Sequence, residues 1–158
     1  LPSLLGITLA LILDQVSKYF VENEMTYFQR IDLAGDFFGL RYVRNTGVAF
    51  GLFKNQEPWL LALIAVAIVV TIVILSNANS SKLSKWESFF IGLIAGGALG
   101  NNLIDRLRLG HVVDFFELRG FPAIFNFADM CIVFGAALLT LSVYRREKSA
   151  SRDNSLQA

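Results

Sequence analysis

Nineteen consecutive residues, Pro58 to Ser76 (PWLLALIAVAIVVTIVILS), carry no charge. A helix needs roughly 20 predominantly apolar residues to cross the hydrocarbon core of a bilayer. The run therefore reads as a spanning helix, with Pro58 suited to its first turn and Trp59 to the interfacial belt.

Three other segments share this character. The opening stretch, LPSLLGITLALILDQVSKYFV, has thirteen uncharged residues and then Asp14 and Lys18. These two are four apart on one helical face, where they can pair and neutralise each other. A third span is expected from about Glu87 to Ile104, dense in small residues (GLIAGGALG) that let helices approach closely in lipid. A fourth runs from about Phe125 to Tyr144 with Asp129 as its single charge. Charged residues make up 17% of the chain, against about 25% in soluble domains. The fold class expected is an all-α integral membrane protein of four transmembrane helices, residues 1–144 forming one domain.

Residues 23–57 are too polar to span. Within them FFGLRYVRNTGVAFGLF alternates in part and is rich in aromatic and β-branched residues, which predicts a small extracytoplasmic β-rich platform after the first helix. Residues 107–125 read as a flap loop with an apolar VVDFFEL inside it, and RREKSASRDNSLQA (145–158) as a flexible cytoplasmic tail. The turn at 77–86 and the tail carry six Lys or Arg in 24 residues, the opposite loops six in 54. The denser side is expected to be cytoplasmic, with both termini there and the polar clusters near the outer leaflet.

A net charge of +1 without a basic stripe gives no case for a nucleic-acid partner. The lone Cys131 allows no intramolecular disulfide and no cysteine metal cluster, and it reads as a packing residue. There is no HExxH and no GxSxG, and His111 has no evident second ligand, so neither a metal nor a cofactor is expected.

What remains is the stretch from Gly96 to Asp129, which sets Asp114 and Asp129 beside three asparagines and Arg106. Ionisable groups between spans are costly and point to function. Asn126 and Asp129 share a helical face, as do Asn102, Asp105 and Arg106. Two carboxylates in one low-dielectric site hold one proton between them near neutral pH, so one can take a proton from water while the other polarises a carbonyl. Spacing alone leaves this peptide-hydrolysing pair level with a purely structural polar network. A proton-coupled transporter would use the same carboxylates, but four dissimilar spans show no internal repeat. A non-enzymatic membrane adaptor would need neither carboxylate. Asp105, beside Arg106, reads as a salt-bridged residue.

Five strings in order then resemble the lipoprotein signal peptidases, the bacterial signal peptidase II family of intramembrane aspartyl proteases: DQVSK (14–18), NTGVAF (45–50), NLIDR (102–106), GHVVDF containing Asp114, and FNFAD (125–129). The resemblance implies catalytic Asp114 and Asp129. It also implies site-supporting Asn45, Gly47, Asn102, Arg106, Asn126 and Ala128, and a structural pair of Asp14 and Lys18. The implied substrate is a diacylglyceryl-modified prolipoprotein, cut just before its lipidated cysteine. The implied enzyme is a metal-free monomer in the bacterial inner membrane, inhibited by globomycin. Two features depart from the pattern. GALGNNLIDR is one residue longer than usual, an excess to be absorbed by a bulge or by about 100° of helix rotation. Met130 stands where a serine is common.

Overall fold

A computed structural model of the chain describes residues 1–46 and 83–157. The uncharged run 58–76 and residues 47–57 of the expected platform lie outside the described residues.

The first helix, α1 (Pro2–Glu24), inverts the soluble pattern. It buries Gly6, Ala10, Asp14, Lys18 and Val21, a stripe at helical spacing, and leaves Leu5, Leu9, Ile12, Val16 and Phe20 exposed. Polar inside and apolar outside is the order lipid selects. Helix α2 (Lys85–Leu99) starts at a capping box, in which the Ser84 hydroxyl accepts from the Glu87 N–H at 3.1 Å and the Glu87 carboxylate accepts from the Ser84 N–H at 2.7 Å. It packs on α1 through glycines. A Cβ at Gly92 would meet the Ser3 carbonyl and one at Gly96 would lie 2.7 Å from Ile7 O, so larger side chains there would separate the helices.

After Leu99 the helix widens into a π-helical segment, Gly100–Asp105, before the short α3 (Arg106–Leu109). This is where the sequence has one residue too many, and a π turn is how a helix absorbs an insertion while its flanks keep their facing. The last helix, α4 (Phe127–Gln157), packs on α2. Of the described helices, α1 and the first 23 residues of α4 are long and apolar enough to cross a bilayer.

The chain is not all-α. Strands β1 (Arg30–Ala34), β2 (Phe38–Asn45), β3 (Val112–Leu118) and β4 (Ile124–Phe125) form one antiparallel sheet in sequence order. The expected platform supplies the first two strands. The segment 107–125, read above as a flap loop, supplies the other two: the aromatic and β-branched VVDFFEL pairs with β2, Asn45 opposite Val112 and Val43 opposite Asp114. Val21, Met25, Tyr42, Val113 and Phe115 form a core that seats the sheet on the end of α1.

The backbone of α4 stays helical to Gln157. Between Arg145 and Gln157 there is no glycine or proline to stop it, and Arg, Glu, Lys, Ala, Leu and Gln all favour helix.

Candidate active site

The FNFAD motif works as a helix start. Asn126 precedes the first residue of α4 and caps it, its Oδ1 accepting from the Asp129 N–H at 3.0 Å. In return Asp129 Oδ2 accepts from the Asn126 N–H at 3.1 Å. This reciprocal capping box fixes Asp129 at the positive end of the helix. A second carboxylate joins it, because the next unpaired donor, the N–H of the buried Ala128, reaches Asp14 Oδ1 at 3.1 Å.

Asp114 arrives from the middle of β3. Asn45 lies diagonally across the β2–β3 ladder from it and donates to its Oδ2 at 3.0 Å. Asn126 Nδ2 donates to its Oδ1 at 2.7 Å and also approaches Val113 O at 3.2 Å and Asn101 Oδ1 at 3.0 Å. One buried asparagine therefore touches both carboxyl groups, its side chain on Asp114 and its backbone on Asp129. Asp114 is only 4% exposed. Burial, and after it the charge of Asp129, push its carboxyl from 3.8 up to about 7.

Beneath the pair lies a fully buried ionic network. Lys18 Nζ is 2.8 Å from Asp14 Oδ2, 2.8 Å from Asp105 Oδ2 and 2.6 Å from Asn101 Oδ1, which occupies all three of its protons. Gln15 Nε2 bridges Asp14 Oδ2 and Asp105 Oδ1 at 3.0 and 2.9 Å. The expected pairing of Asp14 with Lys18 is present. Asp105 turns away from its neighbour Arg106 to the same lysine, and its Oδ2 also accepts from the Val113 N–H at 3.3 Å.

The π segment decides between the two adjacent asparagines. Asn101 is the one on the pair, donating through Nδ2 to Asp129 Oδ1 at 2.8 Å. Asn102, the motif position by count from Arg106, bonds to Ala98 O at 3.3 Å and accepts from Arg106 Nε at 3.4 Å. Its place is the cavity wall, beside Arg106. The doubled asparagine signalled the ambiguity, and only the helix geometry resolves it. Gly47 lies outside the described residues.

Asp114, Asp129, Asn45, Asn101, Asn102 and Arg106 line one cavity of about 1210 Å³. The rest of its wall includes Phe121, Ile124, Phe125, Met130, Val133 and Phe134, so a polar floor faces an apolar side. Val133 and Phe134 are 64% and 57% exposed, which places that side on the outer surface of α4. Arg106 is buried, and its burial draws the guanidinium below its usual value against the opposing charges of Asp114 and Asp105. His111 stands outside this group at the entry to β3, its imidazole shifted downward by burial and by Arg44. Among the described residues no cluster of three or more His, Cys, Asp or Glu is arranged to hold a metal.

Such a site can hold a peptide carbonyl over two carboxyl groups that share a proton. A family model described as signal peptidase (SPase) II matches residues 6–145. The lipoprotein signal peptidase of Pseudomonas aeruginosa strain PAO1 is 40% identical over 157 residues, covering 94% of this chain and 91% of that protein. That of Moorella thermoacetica is 42% identical over 140 residues, covering 88% and 90%. A bacterial membrane enzyme solved by the in meso method superposes with a TM-score of 0.82 at 27% identity, over 93% of this chain and 90% of that one.

Proposed function

The chain belongs to the signal peptidase II family and is an aspartic protease that removes signal peptides from prolipoproteins; we propose that Asp114 and Asp129 are its water-activating pair. The observation that carries the assignment is Asn126, which bonds to both carboxyl groups on the floor of one cavity. The charged carboxyl takes a proton from a water whose oxygen attacks the scissile carbonyl carbon, and the protonated one gives its proton to the carbonyl oxygen. Collapse of the tetrahedral intermediate breaks the C–N bond and returns a proton to the leaving amine.

The substrate is a prolipoprotein cut just before a diacylglyceryl-bearing cysteine. The apolar side of the cavity, at Val133 and Phe134 on the outer face of α4, supports a path for acyl chains that stay in lipid. Asn45, Asn102 and Arg106 present polar groups to the peptide backbone, and Gly47 supports the site as the family resemblance implies. The apolar pattern of the sequence, with 58–76 read as one of four spans, supports both termini in the cytoplasm and the pair near the outer leaflet of the inner membrane. The charge count of the loops supports this orientation. The enzyme acts as a monomer, and globomycin competes for the cavity.

The test is processing of a lipidated prolipoprotein in liposomes by Asp114→Asn and Asp129→Asn proteins that remain folded. Both should lose cleavage by at least 10²-fold, and near-normal processing by either would remove that residue from the pair.

A further inference from the structure

Lys18 is an ammonium held against two carboxylates, and an ammonium only donates. The oxygen of the Asn101 amide therefore points at Lys18, 2.6 Å away, and its Nδ2 points at Asp129 Oδ1, 2.8 Å away. The other oxygen of Asp129 accepts from the Asn126 backbone N–H at 3.1 Å, a donor that cannot be reversed. On Asp114, Oδ1 faces Asn126 Nδ2 at 2.7 Å. That amide is fixed as well, because its oxygen accepts from the Asp129 N–H at 3.0 Å. Three of the four carboxyl oxygens thus meet donors whose direction is set by chemistry. The fourth, Asp114 Oδ2, lies 3.0 Å from Asn45 Nδ2. A hydroxyl there keeps that contact through its remaining lone pairs and aims its proton into the cavity.

We propose that Lys18, acting through Asn101, is a positioning residue that holds Asp129 as the charged member of the pair and leaves the single proton on Oδ2 of Asp114. The proposal rests on the aspartyl-pair reading above and adds a division of labour to it. Asp129 takes the proton from water, and Asp114 gives its own to the scissile carbonyl. The remaining ionisable groups facing the pair are Asp14 and Asp105, both tied to Lys18, and Arg106, which stays cationic. The upward push on Asp114, to about 7, runs in the same direction.

Asparagine has the shape of a protonated aspartate, which makes the assignment testable. Asp114→Asn sets its NH2 against Asn45 Nδ2, a conflict that Asn45→Ala removes, so in the Asn45→Ala background its melting temperature should stay within about 2 °C of the Asn45→Ala parent. Asp129→Asn must set its NH2 against either Asn101 Nδ2 or the Asn126 N–H, and should melt about 5 °C or more below the wild type. Removing the fixed donor should relieve the conflict. In the Asn101→Ala background, Asp129→Asn should therefore cost at most half as many degrees as it does alone. Infrared spectra taken below the Asp114 midpoint should show a protonated-carboxyl carbonyl band that Asp114→Asn abolishes.

An Asp114→Asn penalty that survives Asn45→Ala, an Asp129→Asn penalty unchanged by Asn101→Ala, or a band that survives Asp114→Asn would each overturn the proposal. Cleavage separates the two levels of the account. If both asparagine variants lose cleavage and the carbonyl band survives Asp114→Asn, only the proton assignment fails. If either variant cleaves normally, the pair itself fails.

Discussion

Lys18→Met removes the one cation of a fully buried network while keeping nearly the same volume. Asp14 and Asp105, each 2.8 Å from the ammonium and 0% exposed, are left facing one another, and Asn101 Oδ1 loses a donor. Breaking a buried ion pair from one side costs about 3–5 kcal/mol, because the stranded charge cannot return to water. For a chain of this size each kcal/mol moves the unfolding midpoint by about 2–4 °C, so the variant should melt roughly 6–20 °C below the wild type. Asp14 also caps the N-terminus of α4 through the Ala128 N–H, so cleavage should fall with stability. Thermal unfolding in detergent, with Asp14→Asn/Lys18→Met/Asp105→Asn as the control, is the measurement. The triple variant removes the stranded charges and should regain at least half of the loss. A Lys18→Met protein melting within about 2 °C of the wild type would refute the reasoning, since the network would then contribute almost nothing.

The raised carboxyl of Asp114 is protonated up to about 7 and loses its proton above that, so the cleavage rate should fall as pH rises through about 7. A rate that stays flat there would show that this proton is not used. Deleting Asn102 returns the π turn to a regular α-helix with both flanks in place, so Lys18 should keep Asp105 and cleavage should survive. Deleting Ile94 instead, within regular helix, rotates everything after it by about 100° and should abolish folding, measured by yield of monodisperse protein and by cleavage. Gly100→Ala would place its Cβ 2.5 Å from Asp14 Oδ2 and should cost about 1–3 kcal/mol, read as a lower melting midpoint.

Much of the site was legible because polar residues in apolar helices have few structural uses. Asp14 and Lys18 one turn apart, Asn126 and Asp129 three apart, and Asp114 in a conspicuous string all stood out, and the structure brings them together. Local spacing does not reveal a distant partner or an irregular backbone. Proximity in sequence pairs Asp105 with its neighbour Arg106, whereas its cation is Lys18, on another helix. Counting back from Arg106 puts Asn102 at the site, and the π turn brings Asn101 onto Asp129 as well. Two further signals lie in the sequence. Asn126-x-x-Asp129 has the spacing of a capping box, and VVDFFEL has the composition of a strand, which turns the expected flap into half of a sheet.

The central claim is that Asp114 and Asp129 deliver water directly to the peptide carbonyl. It is tested most directly by one turnover of a diacylglyceryl prolipopeptide in ¹⁸O-enriched water, with mass spectrometry of both the released signal peptide and the enzyme. The account predicts one ¹⁸O in the new terminal carboxylate of every signal peptide and none in either aspartate. Label in Asp114 or Asp129 would reveal an acyl-enzyme and contradict it.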